Sequence, residues 1–512
     1  MKKSLCAVLA VILVIGVLAG CTNAGPETKQ ESADGSSGEI QRLTFSQNTD
    51  TQDIEPYNGT STNSATITFQ MFNALTRTDT DGKVIGDLAE SFQAVDDVTW
   101  QFKLKKGVKF HNGEDFNAEA VKFSVERMIN PENKFQLAPD FSILKEAVII
   151  DENTVNIVTK NSYNGLPLRM IYLVMVPPKY IKEKGNDYFR KNPVGTGPFK
   201  FKEYVKDDHV TLTVNDQYFK GASKIKELVF KPIPEEASRI AALEAGEVDL
   251  VTGVSSSQVE RLKKNQNLEV VSFPTTRAVY IGFNMLNNPV VQKRAFRQAL
   301  NYAVDVDSII KNVLDGQGKR LATVFLDHFQ GYTSDVKPYP FDQAKAKELL
   351  KESGYNNEPL TLVISSALGS LKEVAETVSS QLRQVGVNVN VVQKENALLR
   401  TELAAGKIDP LFFYTFGGPY NSADLISKVA FGTKERYSTY WNKDMDDLRS
   451  KAISVIDMKE SNALWKQFQE IFKDDAPAIF LYQQYGITAY SKKLKNYKPR
   501  MDELVLFDNI SN

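Results

Sequence analysis

The chain has 512 residues, of which 42% are apolar and 24% are charged, and its 62 Lys and Arg nearly balance 63 Asp and Glu. At roughly 150 residues per domain this length predicts about three domains, and the apolar content is typical of a folded globular protein. The net charge of −1 argues against nucleic-acid binding, which needs a basic face to release counterions from phosphate.

The scarce residue types exclude most enzyme classes. Two cysteines, Cys6 and Cys21, lie at the extreme N-terminus, and the three histidines His111, His209 and His328 are far apart in sequence. The chain contains no HExxH pair, no G-x-S-x-G turn, no P-loop and no G-x-G-x-x-G. We therefore expect neither an enzyme nor a resident metal or cofactor.

The first 20 residues have the layout of a secretory signal. Lys2 and Lys3 precede an apolar run from Leu5 to Gly20, which is too short for a comfortable membrane span. The run ends Leu-Ala-Gly and then Cys21, which resembles a bacterial lipobox. Residues 1–20 are therefore predicted to be a lipoprotein signal peptide, and Cys21 is predicted to carry the lipid.

A polar segment follows the predicted lipid. Residues 21–39 are rich in Gly, Ser and charged side chains, a composition that cannot build a core and predicts a flexible tether. No later run approaches 18 apolar residues. We expect the mature protein to be lipid-anchored at the outer face of the bacterial cytoplasmic membrane.

Strand patterns dominate the first part of the mature chain. Apolar residues alternate over 98–104 and 210–214, and residues 148–158 predict a hairpin. Between them, Asn117 is predicted to cap a helix that ends before Asn130-Pro131.

Helices and strands alternate more regularly in the later chain. An alanine-rich stripe predicts one helix over 291–303, and Asp342 is predicted to begin a helix that Gly354 ends. Another apolar stripe predicts a helix over 374–385, followed by a strand over 387–391. Such helix–strand units predict an α/β fold with partly parallel sheets.

Three stretches together resemble the solute-binding proteins of peptide and nickel ABC importers, the dipeptide- and oligopeptide-binding family. They are GDLAESF with VTWQFKLKKGVKFHNGEDFNAEAVKFSVERMINP, then NPVGTGPFKFKEY, then IGFNMLNNPVVQKRAFRQALNYAVDVDSII. The first contains His111, for which we favour a structural role over ligand binding. With the lipobox, the stretches cover nearly the whole mature chain in the order of that family.

The resemblance implies a two-lobed periplasmic-binding-protein fold with an extra domain inserted in the first lobe. Its expected boundaries are 40–85, 195–283 and 488–512 for lobe one, 86–194 for the inserted domain and 284–487 for lobe two. Solute would lie in the cleft between the lobes and be buried by hinge closure. The expected partners are an ABC permease with its ATPase subunits, and the receptor itself is expected to be monomeric.

In peptide-binding relatives a lobe-two loop supplies an Asp that pairs with the α-ammonium of the peptide. The corresponding loop here is 413–424, and the Asp position falls near Gly418, so this acid is missing. Asp424 is the nearest carboxylate. We favour a role for Asp424 as the cap of the following helix over direct contact with solute.

The loop is more similar to the glutathione-binding branch of the family. That similarity implies that Tyr57 and Asn58 face the cleft from lobe one. Arg277 either pairs with a solute carboxylate or forms a surface or lobe-linking salt bridge. Further loop candidates for hydrogen bonding and stacking are Thr415, Phe416, Tyr420 and Asn421.

The leading hypothesis is therefore a receptor for a small peptide-like solute of the glutathione type. The alternative is a receptor for nickel or another metal–chelate complex. The metal-binding branch of the family holds such complexes through Arg and aromatic side chains. An extracellular hydrolase is the least favoured function.

Overall fold

The computed structural model describes residues 38–512, with gaps at 52, 60, 80–81, 366–369 and 419–421. The predicted signal peptide, Cys21 and most of the predicted tether lie outside the described residues. Tyr420 and Asn421 lie outside them as well. Within the described residues, no helix combines the length and apolarity that crossing a bilayer requires.

The strands, in chain order, are β1 (Ile40–Gln47), β2 (Thr76–Thr78), β3 (Val84–Gly86), β4 (Ala89–Ala94), β5 (Thr99–Leu104), β6 (Leu144–Asp151), β7 (Thr154–Thr159), β8 (Phe199–Val205), β9 (His209–Val214), β10 (Ile225–Pro232), β11 (Leu250–Thr252), β12 (Leu268–Phe283), β13 (Gly318–Arg320), β14 (Leu360–Ser365), β15 (Val389–Lys394), β16 (Leu411–Phe416) and β17 (Ala478–Ser491).

The helices are α1 (Thr62–Met71), α2 (Ala118–Ile129), α3 (Leu166–Arg169), α4 (Pro178–Lys184), α5 (Asn186–Lys191), α6 (Glu236–Ala245), α7 (Ser256–Leu262), α8 (Pro289–Gln292), α9 (Arg294–Ala303), α10 (Val306–Asn312), α11 (Gln343–Ser353), α12 (Ser370–Gln384), α13 (Asn396–Ala404), α14 (Ala423–Val429), α15 (Lys443–Ser454) and α16 (Met458–Asp475). Short 3₁₀ turns lie at Pro131–Asn133, Ala138–Phe141 and Met170–Tyr172.

Two long antiparallel strands, β12 and β17, run through the middle of the largest sheet. The strand order is β15-β14-β16-β12-β17-β11-β1-β10-β9-β8, and β13 also pairs with β17. The pairing of β12 with β17 loses register between Pro274 and Ala278, and such irregularities re-aim side chains. The residues at this break, 275–277, are therefore set apart from the ladder where the two halves of the sheet meet.

A separate four-stranded antiparallel sheet, in the order β4-β5-β7-β6, lies within the predicted inserted domain. Helix α2 packs against β6 and β7. Residues 38–512 nevertheless cluster as one compact unit, so the three predicted domain boundaries stay predictions.

Local capping signals place several helices as the sequence predicts. The Asn117 side chain accepts hydrogen bonds from the backbone N–H groups of Glu119 and Ala120 at the start of α2. Asp342 caps α11 in the same way, and Gly354 ends that helix in the left-handed region at φ 65°. Side-chain caps satisfy backbone donors that a helix start leaves free.

The predicted single helix over 291–303 is wrong, because the chain forms two helices, α8 and α9, separated at Lys293. Lys293 has extended dihedrals of φ −77° and ψ 119°. The break is stabilised by Arg297, whose Nη1 donates to the carbonyls of Val291 at 3.1 Å and Gln292 at 2.6 Å. This guanidinium satisfies acceptors at the end of α8 that lack helical partners.

The sequence predicts a tight turn at the VGTGP segment. In the structure its two glycines let the backbone pass close to the end of α1. A Cβ on Gly195 would lie 2.1 Å from the Met71 carbonyl oxygen, and one on Gly197 would lie 2.5 Å from that of Gln70. His111 fastens the segment, since its Nδ1 accepts from Gly195 N–H at 3.2 Å and its Nε2 faces the Gly197 oxygen at 3.0 Å. Burial lowers the pKa of His111 to about 4, which keeps the ring neutral in this structural role.

Candidate functional site

A cavity of about 350 Å³ lies where β12 and β17 lose register, bordered by the first turn of α1. Polar side chains from distant parts of the chain line it, namely Asn48, Asn63, Arg277, Gln484, Arg500 and Glu503. We call it the Arg277 cavity. Its walls combine the central strands with the polar loop after β1.

Arg277 and Glu503 form an ion pair in this cavity. The Arg277 Nε donates to Glu503 Oε2 at 2.6 Å, and the two side chains are 28% and 22% exposed. Burial raises the pKa of Glu503, although the neighbouring Arg277 opposes that rise. The sequence offered this salt bridge as one of two roles for Arg277, and the structure shows that the salt bridge exists.

The loop after β16 approaches Arg277 through two glycines. The Thr276 hydroxyl donates to the Gly418 carbonyl at 2.7 Å and accepts from the Gly418 N–H at 3.1 Å. A Cβ on Gly417 would lie 2.5 Å from the Arg277 Cα, and one on Gly418, which has φ +101°, would lie 3.6 Å from Arg277 Nη2. A side chain at the predicted Asp position would therefore project next to the Arg277 guanidinium.

A second cavity of about 410 Å³ adjoins the first through Arg500, which lines both. Arg500 Nε donates to Asp502 Oδ1 at 3.0 Å, and its Nη2 donates to Thr78 Oγ1 at 2.9 Å. The second cavity also contains Tyr172 and His328. Burial lowers the pKa of His328, so this ring is held neutral.

Tyr57 does not face the cleft, which corrects the prediction for it, whereas Asn58 is half-buried and its contact with solute stays a prediction. Tyr57 is fully buried, and its hydroxyl donates to the Val174 carbonyl at 2.8 Å. The Asn58 amide donates to Asp53 at 3.0 Å and accepts from the Gln136 N–H at 3.3 Å. Their hydrogen bonds are used within the fold, and neither residue lines either cavity.

Asp424 is not the cap of α14, which corrects the role that the sequence favoured for it, and its contact with solute stays a prediction. The cap is Ser422, whose side chain accepts from Leu425 N–H. Asp424 instead accepts from Arg449 Nη1 at 2.6 Å and from the Tyr163 hydroxyl at 3.0 Å. The Asp424 carboxylate therefore joins the segment after β7 to α14 and α15.

Asn164, on the same segment, makes a dense set of contacts with the predicted lobe two. Its Nδ2 lies within hydrogen-bond distance of Ala452 O, Val455 O and Ser461 Oγ, at 2.9, 2.7 and 3.0 Å. Its backbone N–H donates to the Ile453 carbonyl at 2.8 Å. One buried side chain thus joins the predicted inserted domain to the predicted lobe two.

Thr415 and Phe416 lie at the end of β16, paired with β12 opposite Val279 and Ala278. Both side chains are half-buried, and neither is among the residues lining the two cavities. Their roles as solute contacts stay predictions. In the described residues, no group of three or more His, Cys, Asp or Glu side chains is placed to hold a metal ion.

Sequence reasoning missed Glu503, Arg500 and Gln484. Glu503 is 226 positions from its partner Arg277 and lies in a short acidic run that has no motif. One signal was available, because the predicted third segment of lobe one, 488–512, has to return to the central strands. Its acidic residues were candidates for that reason alone.

The chain was compared with known proteins at the level of sequence and of fold. The family model described as bacterial extracellular solute-binding proteins, family 5 Middle, matches residues 83–437. The chain is 31% identical over 471 residues to the glutathione-binding protein GsiB of Pectobacterium atrosepticum, covering 89% of this chain and 91% of that protein.

Solved structures show the same fold. The ABC transporter substrate-binding protein CtaP of Listeria monocytogenes superposes with a TM-score of 0.84 at 24% identity, covering 92% of this chain and 99% of that one. The periplasmic binding protein DppA of Helicobacter pylori, in complex with the peptide STSA, superposes with a TM-score of 0.78 at 26% identity, covering 93% and 98%. These likenesses agree with the predicted two-lobed α/β fold. The chain belongs to the family 5 bacterial extracellular solute-binding proteins, which are non-catalytic receptors of ABC transporters.

Proposed function

We propose that this protein captures a small peptide-like solute of the glutathione type in the Arg277 cavity and delivers it to an ABC permease and its ATPase subunits. The observation that carries the proposal is the pairing of Arg277 with a glycine, Gly418, at the position where peptide-binding relatives supply an acid. This arrangement leaves space beside the guanidinium.

The cavity is suited to a carboxylate-bearing solute. Arg277 can donate parallel hydrogen bonds to a carboxylate, and the N-terminal residues Ser61 and Thr62 of α1 border the same space. Helix N-termini favour anions because their first N–H groups lack helical acceptors. The amides of Asn48, Asn63 and Gln484 offer both donors and acceptors to peptide groups.

The relatives support the same class of solute. GsiB is named as a glutathione-binding protein, and DppA holds a four-residue peptide. Thr415 and Phe416 remain proposed solute contacts, because both are half-buried and directly precede the glycines that approach Arg277. Tyr420 and Asn421 remain proposed contacts on the basis of the sequence alone.

The proposal includes a lipid anchor. Cys21 follows a signal-like run and precedes a polar segment, so acylation would tether the receptor without a membrane span. Tethering keeps the receptor near its permease while the polar segment lets it move. We propose that the receptor acts as a monomer on the outer face of the cytoplasmic membrane.

Mass spectrometry of the solute that co-purifies with the protein, combined with elemental analysis, tests the function. The proposal expects a small peptide-like molecule and no stoichiometric metal. Stoichiometric nickel or zinc, with a melting temperature that depends on that metal, would instead identify the alternative receptor for a metal chelate.

A further inference from the structure

The Arg277 cavity presents one positive and one negative group in direct contact. Arg277 Nε and Glu503 Oε2 are 2.6 Å apart, and both side chains keep part of their surface open. A Cβ on Gly418 would lie 3.6 Å from Arg277 Nη2 and 3.6 Å from Thr62 Oγ1, so the guanidinium meets a residue without a side chain there. The pair therefore offers a carboxylate-binding and an ammonium-binding group next to each other.

The turn that carries Glu503 fixes its carboxylate in this place. Glu503 has φ 62°, which is uncommon for a residue with a side chain, and its N–H donates to the Arg500 carbonyl at 2.9 Å. The neighbouring acid Asp502 is already bound to the Arg500 guanidinium. Glu503 is thus the acid of this turn whose charge is directed at Arg277.

Two opposite charges that touch match a ligand whose own opposite charges are close together. An α-amino acid carries its ammonium and its carboxylate on one carbon. The termini of an extended α-linked tripeptide are instead about 10 Å apart, at roughly 3.3–3.6 Å per residue. A buried ammonium also needs a carboxylate partner, since its desolvation is otherwise uncompensated.

We infer that Arg277 and Glu503 together bind a free α-amino-acid head group of the solute, with the α-carboxylate on Arg277 and the α-ammonium on Glu503. This inference rests on the proposed function and makes it more specific. A γ-linked peptide such as glutathione has this head group, because its glutamyl residue is joined through the side chain. An ordinary α-linked peptide does not.

The inference also revises the role of the missing acid at Gly418. From the sequence, an ammonium has no carboxylate partner in the cleft and is expected to bind poorly. In this proposal Glu503, which contacts Arg277 directly, supplies that partner. The solute amino group is therefore recognised by Glu503 and not by an acid at position 418.

Calorimetric titration of the wild-type protein with three tripeptides tests the inference through the ligand. The tripeptides are glutathione, its α-linked isomer Glu-Cys-Gly, and glutathione acetylated on the glutamyl nitrogen. We expect glutathione to bind at least about tenfold more tightly than either of the others. Equal affinity for all three would overturn the inference and leave the proposed function intact, whereas no binding of any would contradict both.

A variant separates the role of Glu503 from general damage to the cavity. Glu503→Gln keeps the shape and removes the charge, and Glu269→Gln, at an exposed position on β12, is the matched control. We expect Glu503→Gln to weaken glutathione binding by about tenfold and not to weaken binding of the acetylated peptide, which brings no ammonium. An equal loss for both ligands would overturn the assignment of the ammonium to Glu503. If Glu503→Gln does not fold, the wild-type comparison of ligands still decides.

Discussion

Arg277 and Glu503 lie 226 residues apart in the chain, yet the Arg277 Nε donates to the Glu503 carboxylate at 2.6 Å. The contact forms where β12 loses register with β17, which is the point where the two halves of the large sheet are joined. In the proposed function, hinge closure would enclose this ion pair together with the solute. Its position makes it the centre of the proposed binding site.

Acid should weaken the binding of an ammonium-bearing solute. Glu503 must be ionised to accept the ammonium, and burial, together with the nearby acid Asp502, raises its pKa while Arg277 opposes the rise. As the pH falls, Glu503 is therefore protonated in a range above that of an ordinary Glu side chain. Calorimetry from neutral pH downward should show the affinity for glutathione falling in that range.

The acetylated peptide is the control for this pH dependence, because it has no ammonium to bind. Its affinity should not follow the titration of Glu503, and Glu503→Gln should remove the effect for glutathione. An affinity for glutathione that stays constant until its own carboxylates are protonated would contradict the assignment.

Removing the Asn164 side chain should destabilise the fold. In Asn164→Ala the carbonyl of Val455 loses a buried donor, and such losses cost about 1–3 kcal/mol. Chemical denaturation should show that decrease in the free energy of unfolding. Asn161→Ala, at an exposed position on the same segment, should be nearly neutral, and equal stability of the two variants would contradict the role of Asn164.

Solute should compact the protein and raise its melting temperature. Hinge closure brings the two lobes together around the ligand, and a ligand that binds the folded state alone stabilises it by mass action. Small-angle scattering with and without saturating solute measures the first effect, and calorimetric melting measures the second. An unchanged radius of gyration with a bound solute would contradict closure.

Lipid attachment depends on one residue in the proposal. Cys21→Ala removes the thiol that would carry diacylglycerol, so the protein should leave the membrane fraction or stay unprocessed. Fractionation and mass spectrometry of the N-terminus measure this. A Cys21→Ala protein that is correctly cleaved and still fully membrane-bound would show that another feature anchors it.

The helix ends were predictable from the sequence because capping is local. Asn117, Asp342 and Gly354 act within four residues of themselves, so their signal is present in a short stretch of chain. The division at Lys293 was not predictable in this way. It is stabilised by Arg297, which also bonds the backbone of Asp475, 178 residues away.

The site was only partly predictable, because the direction of a side chain and its bonding partner depend on residues that are far away in the sequence. Arg277 was found from its place before a presumed central strand. Tyr57 was misplaced because its hydroxyl partner, Val174, is 117 residues away, and nothing in the polar loop reveals which side chain turns inward. Glu503 was missed for the same reason, since its role exists only through Arg277.

The most direct test of the proposed function is calorimetric titration of glutathione and the plain dipeptide Ala-Ala into the wild type and Arg277→Ala. We expect the wild type to bind glutathione more tightly than Ala-Ala. Arg277→Ala should weaken glutathione binding by about 1.5–3 kcal/mol, the scale of a hydrogen bond to a charged group. Tight binding of Ala-Ala that is indifferent to Arg277 would contradict the account and indicate a general peptide receptor.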